Sequence, residues 1–339
     1  MTKRLLLSIA VLLTACVAGA QEVKNAYQFL NLTNSAHIYA LGGMSVALVE
    51  DDINTVLANP ALLGKEMTKQ LGVNYMRYLS GGNYFGATFA LQLHERGTMA
   101  LGVQCLSHGK MDLTDETGTK LGTFSATDII IHATYSIDIS SRVRGGVTLK
   151  FIPSSYERYK AFAIATDIGV NYFNPDNDLS LSLTVKNLGG QVTSFNNTKD
   201  KLPWDIQIGW AQYLRNAPIR FSITATNLTK WKLPYYDKVS STDDTMELKS
   251  TFMGNLFRHL IFGAEYNNGK FYVGLGYNYK TRTDMASYSR NFLSGLSIGA
   301  GLNLSKIGFG VTYAQPYAGG STVMLNLKLN FAEMMNRNN

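Results

Sequence analysis

The last predicted strand of the chain reads Ser-Thr-Val-Met-Leu-Asn-Leu-Lys-Leu-Asn-Phe over residues 321–331. Apolar and polar residues alternate along it, and only Met324 breaks the period of two. About ten residues is the length that crosses a bilayer as a tilted strand. A final strand of this length that ends on an aromatic residue, here Phe331, is typical of the closure of an outer-membrane barrel. The edge strand of a soluble sandwich has the same pattern, so this stretch alone leaves both folds open.

The same alternation recurs along most of the chain. In one segment Val147, Leu149 and Phe151 share one face while Thr148 and Lys150 share the other. A membrane barrel turns the apolar face to lipid and the polar face to the lumen. Fourteen strands are predicted, at about residues 70–78, 84–93, 98–107, 126–137, 142–152, 161–173, 179–187, 203–213, 218–228, 256–266, 270–280, 292–303, 306–314 and 321–331.

The lengths of the connections distinguish a barrel from a sandwich. Every second connection is a short turn, while most of the others are longer, at about residues 108–125, 153–160, 188–202, 229–255 and 281–291. Long loops at one end and tight turns at the other are typical of outer-membrane barrels, in which the short turns are periplasmic. The predicted fold is therefore all-β, a fourteen-stranded antiparallel outer-membrane barrel with a segment ahead of it that serves as a plug.

The first twenty residues have the composition of an export signal. Lys3 and Arg4 precede the apolar run 5–13, and Ala18-Gly19-Ala20 is a small-residue cleavage site. The run that ends at Cys16 also fits a lipoprotein cleavage site, which leaves open whether Cys16 is lipidated or removed with the signal. We expect a cleaved signal peptide at 1–20 and localisation to the outer membrane.

Composition narrows the classes of protein further. After signal removal Cys105 is the only cysteine, which excludes a disulfide framework and a cysteine metal site. No later apolar run reaches the length of a transmembrane helix, so insertion would use strands. The net charge of +7 is spread without Lys/Arg clusters, and this does not favour a nucleic-acid partner.

Residues 21–68 do not alternate, and they are predicted to form the plug segment ahead of a barrel at 69–331 and a periplasmic tail at 332–339. Glu50, Asp51 and Asp52 precede a short apolar stretch, and acidic residues are favoured at the start of a helix. A cation site is the alternative interpretation of these three carboxylates. The capping role is favoured because no further carboxylates lie nearby in sequence.

Several motifs in this segment stand in a fixed order. They are Gly42-Gly43, Asp51-Asp52 and Asn59-Pro60-Ala61, with Tyr27–Leu32 before them and Asn74–Tyr78 after them. In this order they resemble the N-terminal region of the FadL/PorV-like family of outer-membrane proteins. The resemblance implies that the segment is a plug, or hatch, inside a fourteen-stranded barrel.

Within that family the resemblance is to components of the type IX secretion system of Bacteroidetes. It implies a non-enzymatic barrel that holds a PorZ-like surface protein at the outer membrane. It also implies an attachment complex with PorV and the sortase PorU, which processes cargo, and outer-membrane lipid around the barrel. The alternative is a FadL-like transporter of hydrophobic small molecules.

No motif commits the chain to catalysis, a cofactor or a metal. Gly295-Leu-Ser297-Ile-Gly299 matches the hydrolase pattern, but it lies in an alternating strand and lacks the strand–turn–helix context that exposes such a serine. The five histidines are scattered without metal-ligand spacing. An outer-membrane hydrolase therefore stays a minor alternative.

The connection at about 229–255 is the candidate partner-binding loop. Exposed aromatic residues beside charges are enriched at protein contacts. A lid over the barrel mouth is an equally good interpretation of the same residues. The candidate residues are Trp231, Leu233, Pro234, Tyr235 and Tyr236. Arg258, just after this loop, is predicted to lie at the outer end of a strand on its lipid face.

Overall fold

The computed structural model describes residues 27–78, 81–195, 199–238, 246–284, 293–317 and 320–335. The predicted signal peptide and the first residues of the predicted plug segment lie outside the described residues. Among the described residues, no helix is long and apolar enough to span a membrane.

Strands dominate the described chain, and short helices stand before, between and after them. The strands are β1 (Gln70–Arg77), β2 (Asn83–His94), β3 (Gly97–Thr114), β4 (Lys120–Asp138), β5 (Val143–Tyr156), β6 (Tyr159–Asn174), β7 (Leu179–Thr193), β8 (Asp205–Tyr213), β9 (Ile219–Ala225), β10 (Tyr235–Lys238), β11 (Met246–Lys249), β12 (Leu260–Asn267), β13 (Phe271–Asn278), β14 (Leu296–Asn303), β15 (Ile307–Tyr317) and β16 (Gly320–Asn330). The helices are α1 (Ala36–Ala40), α2 (Phe252–His259), α3 (Tyr279–Asp284) and α4 (Phe331–Met335).

Fourteen of the strands form one closed antiparallel barrel. Neighbours along the chain are neighbours in the barrel, except that β9 pairs with β12 because β10 and β11 form a separate two-stranded sheet. The barrel closes where β1 pairs with β16, from Gln70 opposite Asn330 to Arg77 opposite Val323. Phe331 opens α4, and its backbone N–H donates to Lys69 O at 3.0 Å, which carries the closure one residue further.

The two faces of the strands have the predicted polarity. Along β16, Val323 and Leu327 are exposed on the outside while Asn326 and Lys328 are buried inside. Met324, which interrupts the alternation, also points inward and packs in an apolar cluster within the lumen. The lumen is thus not uniformly polar, and part of its wall is apolar.

The turns at the end of the barrel where β1 begins and β16 finishes are short, and we call this the inner end. Long connections gather at the opposite, outer end, which in outer-membrane barrels faces the outside. The predicted loop at 108–125 is wrong in its extent, because β3 and β4 continue to pair from Lys110 opposite Ser125 as far as Thr114 opposite Lys120. A shift of register between Ser107 and Lys110 starts this outer hairpin. The predicted loop at 153–160 is wrong for the same reason, because β5 and β6 pair as far as Tyr156 opposite Tyr159.

The prediction for Arg258 is also wrong. The strand expected from residue 256 begins at Leu260, and the residues before it form α2. Arg258 is therefore not on the lipid face. It is buried at the outer mouth of the barrel, where it pairs with Asp284 and Thr283 of α3.

Residues 27–69 lie inside the barrel, and we call them the plug segment. They form α1 and four single-turn 3-10 helices, at Gln28–Asn31, Ile53–Thr55, Pro60–Leu62 and Lys65–Met67. The Ser35 hydroxyl accepts a hydrogen bond from Ile38 N at 3.3 Å and so caps the start of α1. The core of the protein lies between this segment and the inward faces of the strands.

Candidate functional site

The Asn59-Pro60-Ala61 motif is a buried turn that holds two parts of the plug segment together. The Asn59 side chain accepts a hydrogen bond from Ala61 N and donates one to Val46 O, each at 2.9 Å. Pro60 begins a 3-10 helix, where its lack of an N–H costs nothing. Every polar atom of the Asn59 side chain is thereby paired, as a fully buried amide requires.

Glycines in the barrel wall let the plug segment approach the strands closely. A Cβ added to Gly146 of β5 would stand 2.5 Å from the carbonyl carbon of Pro60, and one added to Gly276 of β13 would overlap Gly42 N. Gly42 and Gly43 themselves have φ angles of +100° and +91°, which L residues with side chains rarely adopt. Gly42 is thus required by backbone conformation and by space, since an added Cβ would lie 2.5 Å from Ile261 Cγ2, whereas Gly43 is required by backbone conformation alone.

Ser297, the central residue of the hydrolase-like motif, fastens the plug segment to the wall. Its hydroxyl donates to Ala40 O at 2.9 Å and accepts from Gly42 N at 3.0 Å. The side chain is buried in β14, and both hydrogen bonds go to the backbone at the end of α1. The structure gives Ser297 a structural role in place of an exposed nucleophile.

The three adjacent acidic residues Glu50, Asp51 and Asp52 contact different partners. Asp52 caps the 3-10 helix that follows, with its carboxylate accepting from Asn54 N at 3.0 Å. Asp51 contacts the side-chain amide of Gln70, and burial raises the pKa of the Asp51 carboxyl above its usual value. Glu50 pairs with Arg220 of β9. Among the described residues, no group of three His, Cys, Asp or Glu side chains is placed to hold a metal ion.

A buried ionic network ties α1 to the inner half of the barrel. Arg220 contacts both Glu50 and Glu265, and Glu265 also pairs with His37 of α1. The ring of Tyr272 stacks on His37, with centroids 3.7 Å apart and planes 9° apart. Two carboxylates thus share one guanidinium, and Glu265 also pairs with the imidazole; Arg220, Glu265 and His37 are buried, whereas Glu50 is only partly buried.

The outer part of the lumen contains an apolar cluster. Tyr27, Phe29 and Leu30 of the plug segment pack there against the inward side chains of Tyr84 and Met324. This cluster, the ionic network and a second apolar cluster that includes Ile53, Leu63 and Met67 together hold the plug segment along its length.

An open cavity of about 400 Å³ lies at the outer end, between the plug segment and the wall. Small-molecule sites are concave, mostly apolar and usually of about 300–1,000 Å³. The apolar part of its lining comes from Leu32, Tyr39, Met44, Tyr78, Ile261, Leu296 and Pro316. The polar part comes mainly from Asn31, Thr33, Asn227, Asn278, Lys280 and Asp284.

The lumen narrows to the size of a single water molecule below this cavity. A pocket of about 20 Å³ shares Asn31, Leu32 and Met44 with the outer cavity and continues to Lys186, whose ammonium donates to Leu57 O at 2.9 Å. A second large cavity, of about 320 Å³, opens at the inner end beside Arg220. The packed plug segment therefore separates an outer vestibule from an inner one.

The candidate loop residues do not form one exposed surface. Trp231 and Pro234 are exposed, whereas Leu233 and Tyr235 are half-buried. Leu233 N donates to the Asn255 side chain at 3.2 Å, and the guanidinium of Arg258 lies 5.1 Å from the centre of the Tyr235 ring. The inner residues of the loop therefore pack over the mouth. Tyr236 lies in β10, and its backbone alone belongs to the described structure.

The residues of the barrel wall that contact the plug motifs could not be identified from the sequence. Gly146 and Gly276 give no local signal, since each is one residue in an alternating strand, and Ser297 stands out only through the hydrolase-like motif, which points to a different role. Arg220 and Glu265 are inward charges in such strands, which a lumen-facing position explains without a partner. Their pairing with Glu50 and His37 depends on how the plug segment is threaded through the barrel.

The described strands form a closed fourteen-stranded antiparallel barrel, and solved outer-membrane barrels of the FadL type share this fold. The chain is similar to the toluene transporter TodX of Pseudomonas putida, with 11% identity, 88% of this chain and 97% of that chain covered, and a TM-score of 0.53. It is also similar to a FadL homologue of Pseudomonas aeruginosa, with 12% identity, 88% and 98% coverage, and a TM-score of 0.51. At these identities the likeness concerns the fold. No protein-family model and no curated protein matches the chain.

Proposed function

We propose that this barrel binds a small hydrophobic molecule in the outer cavity, as the first step of FadL-like uptake across the outer membrane. The observation that carries the proposal is the cavity of about 400 Å³ between plug segment and wall, open toward the outer end. Its volume falls within the range of small-molecule sites. The similar TodX protein is described as a toluene transporter, which supports a ligand of this class.

The lining suits a ligand with an apolar body and at most one or two polar groups. Met44 and Leu296 offer apolar surface from the plug segment and the wall, and Asn278 and Asn227 supply amides at the rim. Burial raises the pKa of Tyr39 to about 12, so its phenol stays protonated at neutral pH. The cavity thus presents an apolar surface with neutral donors and acceptors, and its lining also contains the ion pair of Lys280 and Asp284.

Onward passage requires the plug segment to move, because the wall beside it is continuous. In the wall that lines the cavity, β12 pairs with β13 from Ile261 opposite Asn278 to Asn267 opposite Tyr272, and β14 pairs with β15 from Leu296 opposite Gln315 to Asn303 opposite Gly308. A transporter that released its ligand sideways would need a gap between strands. Release past the plug segment is the route that this geometry favours.

Binding is tested with radiolabelled toluene and radiolabelled palmitate on purified protein in detergent. Met44→Trp should fill the cavity and weaken binding at least about tenfold, since a filled pocket loses its ligand contacts. Leu121→Trp, on the exposed outer hairpin away from the cavity, is the matched control and should bind like the original protein. No binding above that of an unrelated barrel would reject the proposal.

A second candidate function is favoured by a different observation, the two hairpins at the outer end. The β3–β4 hairpin continues past the shift of register at Ser107, and β10 with β11 forms a sheet separate from the barrel. The motifs at residues 27–78 resemble those of PorQ, a type IX secretion component, and this resemblance implies a chain that holds a PorZ-like surface protein in an attachment complex with PorU and PorV. We propose that these two hairpins are the part of the chain that holds it. This function involves no catalysis by the chain itself.

The second candidate is tested by affinity purification of tagged protein from native outer membranes. Co-purification of a large surface protein and a sortase, lost when residues 111–124 are replaced by a short turn, would support it. A barrel that purifies alone would reject it. A barrel that purifies alone and binds toluene would leave the transport function as the better supported of the two.

A further inference from the structure

The amphipathic helix α2 has the reverse of the usual polarity. Its polar residues Asn255, Arg258 and His259 are buried, whereas Phe252 and Met253 are 66% and 56% exposed. Phe257, one turn after Met253, is also exposed. A helix at a water-exposed mouth would turn its polar residues outward, so the apolar face of α2 calls for an apolar neighbour.

The buried polar face fixes the orientation of the helix. Arg258 pairs with Asp284 and Thr283 on α3. The ring nitrogens of His259 lie 2.7 Å from Thr226 O and 3.1 Å from Trp231 O. These contacts hold the polar side of α2 toward the barrel mouth, so the opposite apolar side faces away from the barrel axis.

The apolar face of α2 is continuous with the lipid-facing surface of the barrel. The helix ends at His259, and β12 begins at Leu260 without a connecting loop. Neighbouring strands present Ile223 and Leu275 outward, and Leu275 is 52% exposed, an exposure similar to that of Met253. The barrel surface at these strands contacts lipid, and α2 extends it beyond the outer end of β12.

Trp231 joins the same surface from the preceding loop. Its ring stacks on His259, with centroids 5.1 Å apart, and lies 5.8 Å from the ring of Phe252. Trp and other aromatic residues are enriched where membrane proteins meet the headgroup region. The Trp231 side chain is 48% exposed and lies beside the exposed ring of Phe252.

We propose that Trp231 and the apolar face of α2, formed by Phe252, Met253 and Phe257, lie in the outer leaflet of the membrane. The helix rests at the boundary between lipid headgroups and acyl chains, as interfacial amphipathic helices do. Its polar face, through Arg258 and Asp284, then holds α3 beside the outer cavity. The partner of this surface is lipid, which separates it from the hairpins proposed to hold a protein.

The test uses Trp231 fluorescence in vesicles of a phosphatidylcholine brominated on its acyl chains, because bromine quenches only nearby indoles. The chain has 3 Trp residues, so Trp204→Phe with Trp210→Phe leaves Trp231 alone. Trp210, opposite the outward residues Leu181 and Ile223, is the lipid-facing control when Trp204 and Trp231 are replaced by Phe. Leu121→Trp in a protein with all three Trp residues changed to Phe is the control exposed to water.

We expect brominated lipid to reduce Trp231 fluorescence by a fraction close to that for Trp210, with little effect at position 121. A spin label at Phe252→Cys, in a Cys105→Ser background, should collide more with oxygen than with a water-soluble nickel complex. Quenching of Trp231 by aqueous iodide with no effect of brominated lipid would overturn the proposal. A nickel-accessible label at position 252 would overturn it independently, since this exposed site should accept a label without unfolding.

Discussion

Arg220 of β9 and Glu265 of β12 stand directly opposite each other inside the barrel, and Nε of Arg220 donates to Oε1 of Glu265 at 2.5 Å. The same guanidinium reaches Glu50 of the plug segment, and Glu265 also reaches His37. One cross-strand pair in the wall thus contacts two separate parts of the plug segment, at His37 and at Glu50. The pair is well placed to determine how firmly the plug segment is held.

Replacing Arg220 by Met should loosen the plug segment markedly. The change leaves Glu50 and Glu265 buried without their shared cation, and breaking a buried pair typically costs about 3–5 kcal/mol. Urea unfolding of the refolded barrel, followed by tryptophan fluorescence, measures the change. Arg142→Met is the matched control, because Arg142 and Asp176 form an exposed pair that contributes about 0–1 kcal/mol. Equal effects of the two substitutions would contradict the assignment.

The ionic attachment of the plug segment to the barrel wall, through His37 and Glu265, should weaken as the pH rises. Burial disfavours the charged form of His37, but Glu265 outweighs burial and raises the pKa of His37 above 6.5. Because the folded pKa exceeds the unfolded one, the stabilisation is fully present below about pH 6.5 and is lost as the pH rises through the folded pKa. Thermal unfolding followed by circular dichroism from about pH 6 to 9 measures this trend. His37→Gln should remove this contribution, and an unchanged slope in the variant would contradict the prediction.

Gly146→Val should displace the Asn59-Pro60 turn and open a path through the lumen. The added side chain would occupy the space of the Pro60 carbonyl. The atoms that it would meet belong to the backbone of Pro60 and Ala61, which cannot move aside as a flexible side chain could. We expect higher single-channel conductance in planar bilayers and faster proteolysis of the plug segment. Gly190→Val is the control, since a Cβ there meets no atom within 4 Å. Identical conductance for the two variants would mean that the plug segment does not block the lumen.

Ser297→Ala should weaken the attachment of α1 to the barrel wall. It should not change the rate of ester hydrolysis. The variant leaves Ala40 O and Gly42 N without their side-chain partner, and a buried group that loses its hydrogen bond costs about 1–3 kcal/mol. The midpoint of urea unfolding should fall, while hydrolysis of p-nitrophenyl esters should stay at the level of a buffer blank in both proteins. Esterase activity that disappears in the variant would instead support the hydrolase interpretation.

Much of the barrel can be predicted from local pattern. The alternation of apolar and polar residues predicts where the strands lie and which face of each strand is apolar. Short turns at every second connection, with longer connections between them, distinguish a barrel from a sandwich. The pattern fails where helix and strand share an apolar signal, as at residues 256–259, which join α2 and not a strand. It also fails at 108–125, where polar turn-like residues form a regular hairpin because β3 and β4 supply each other with hydrogen bonds.

The sequence by itself determined that this chain builds a barrel with lipid outside and polar groups within, because a period of two is a local property of each strand. Which contacts hold the plug segment inside the barrel is visible only in the tertiary structure. Ser297 meets the plug segment 257 residues away, and Arg220 meets Glu50 across 170 residues. Such pairings depend on strand register and on the path of the plug segment, and neither of these produces a repeating pattern in the sequence.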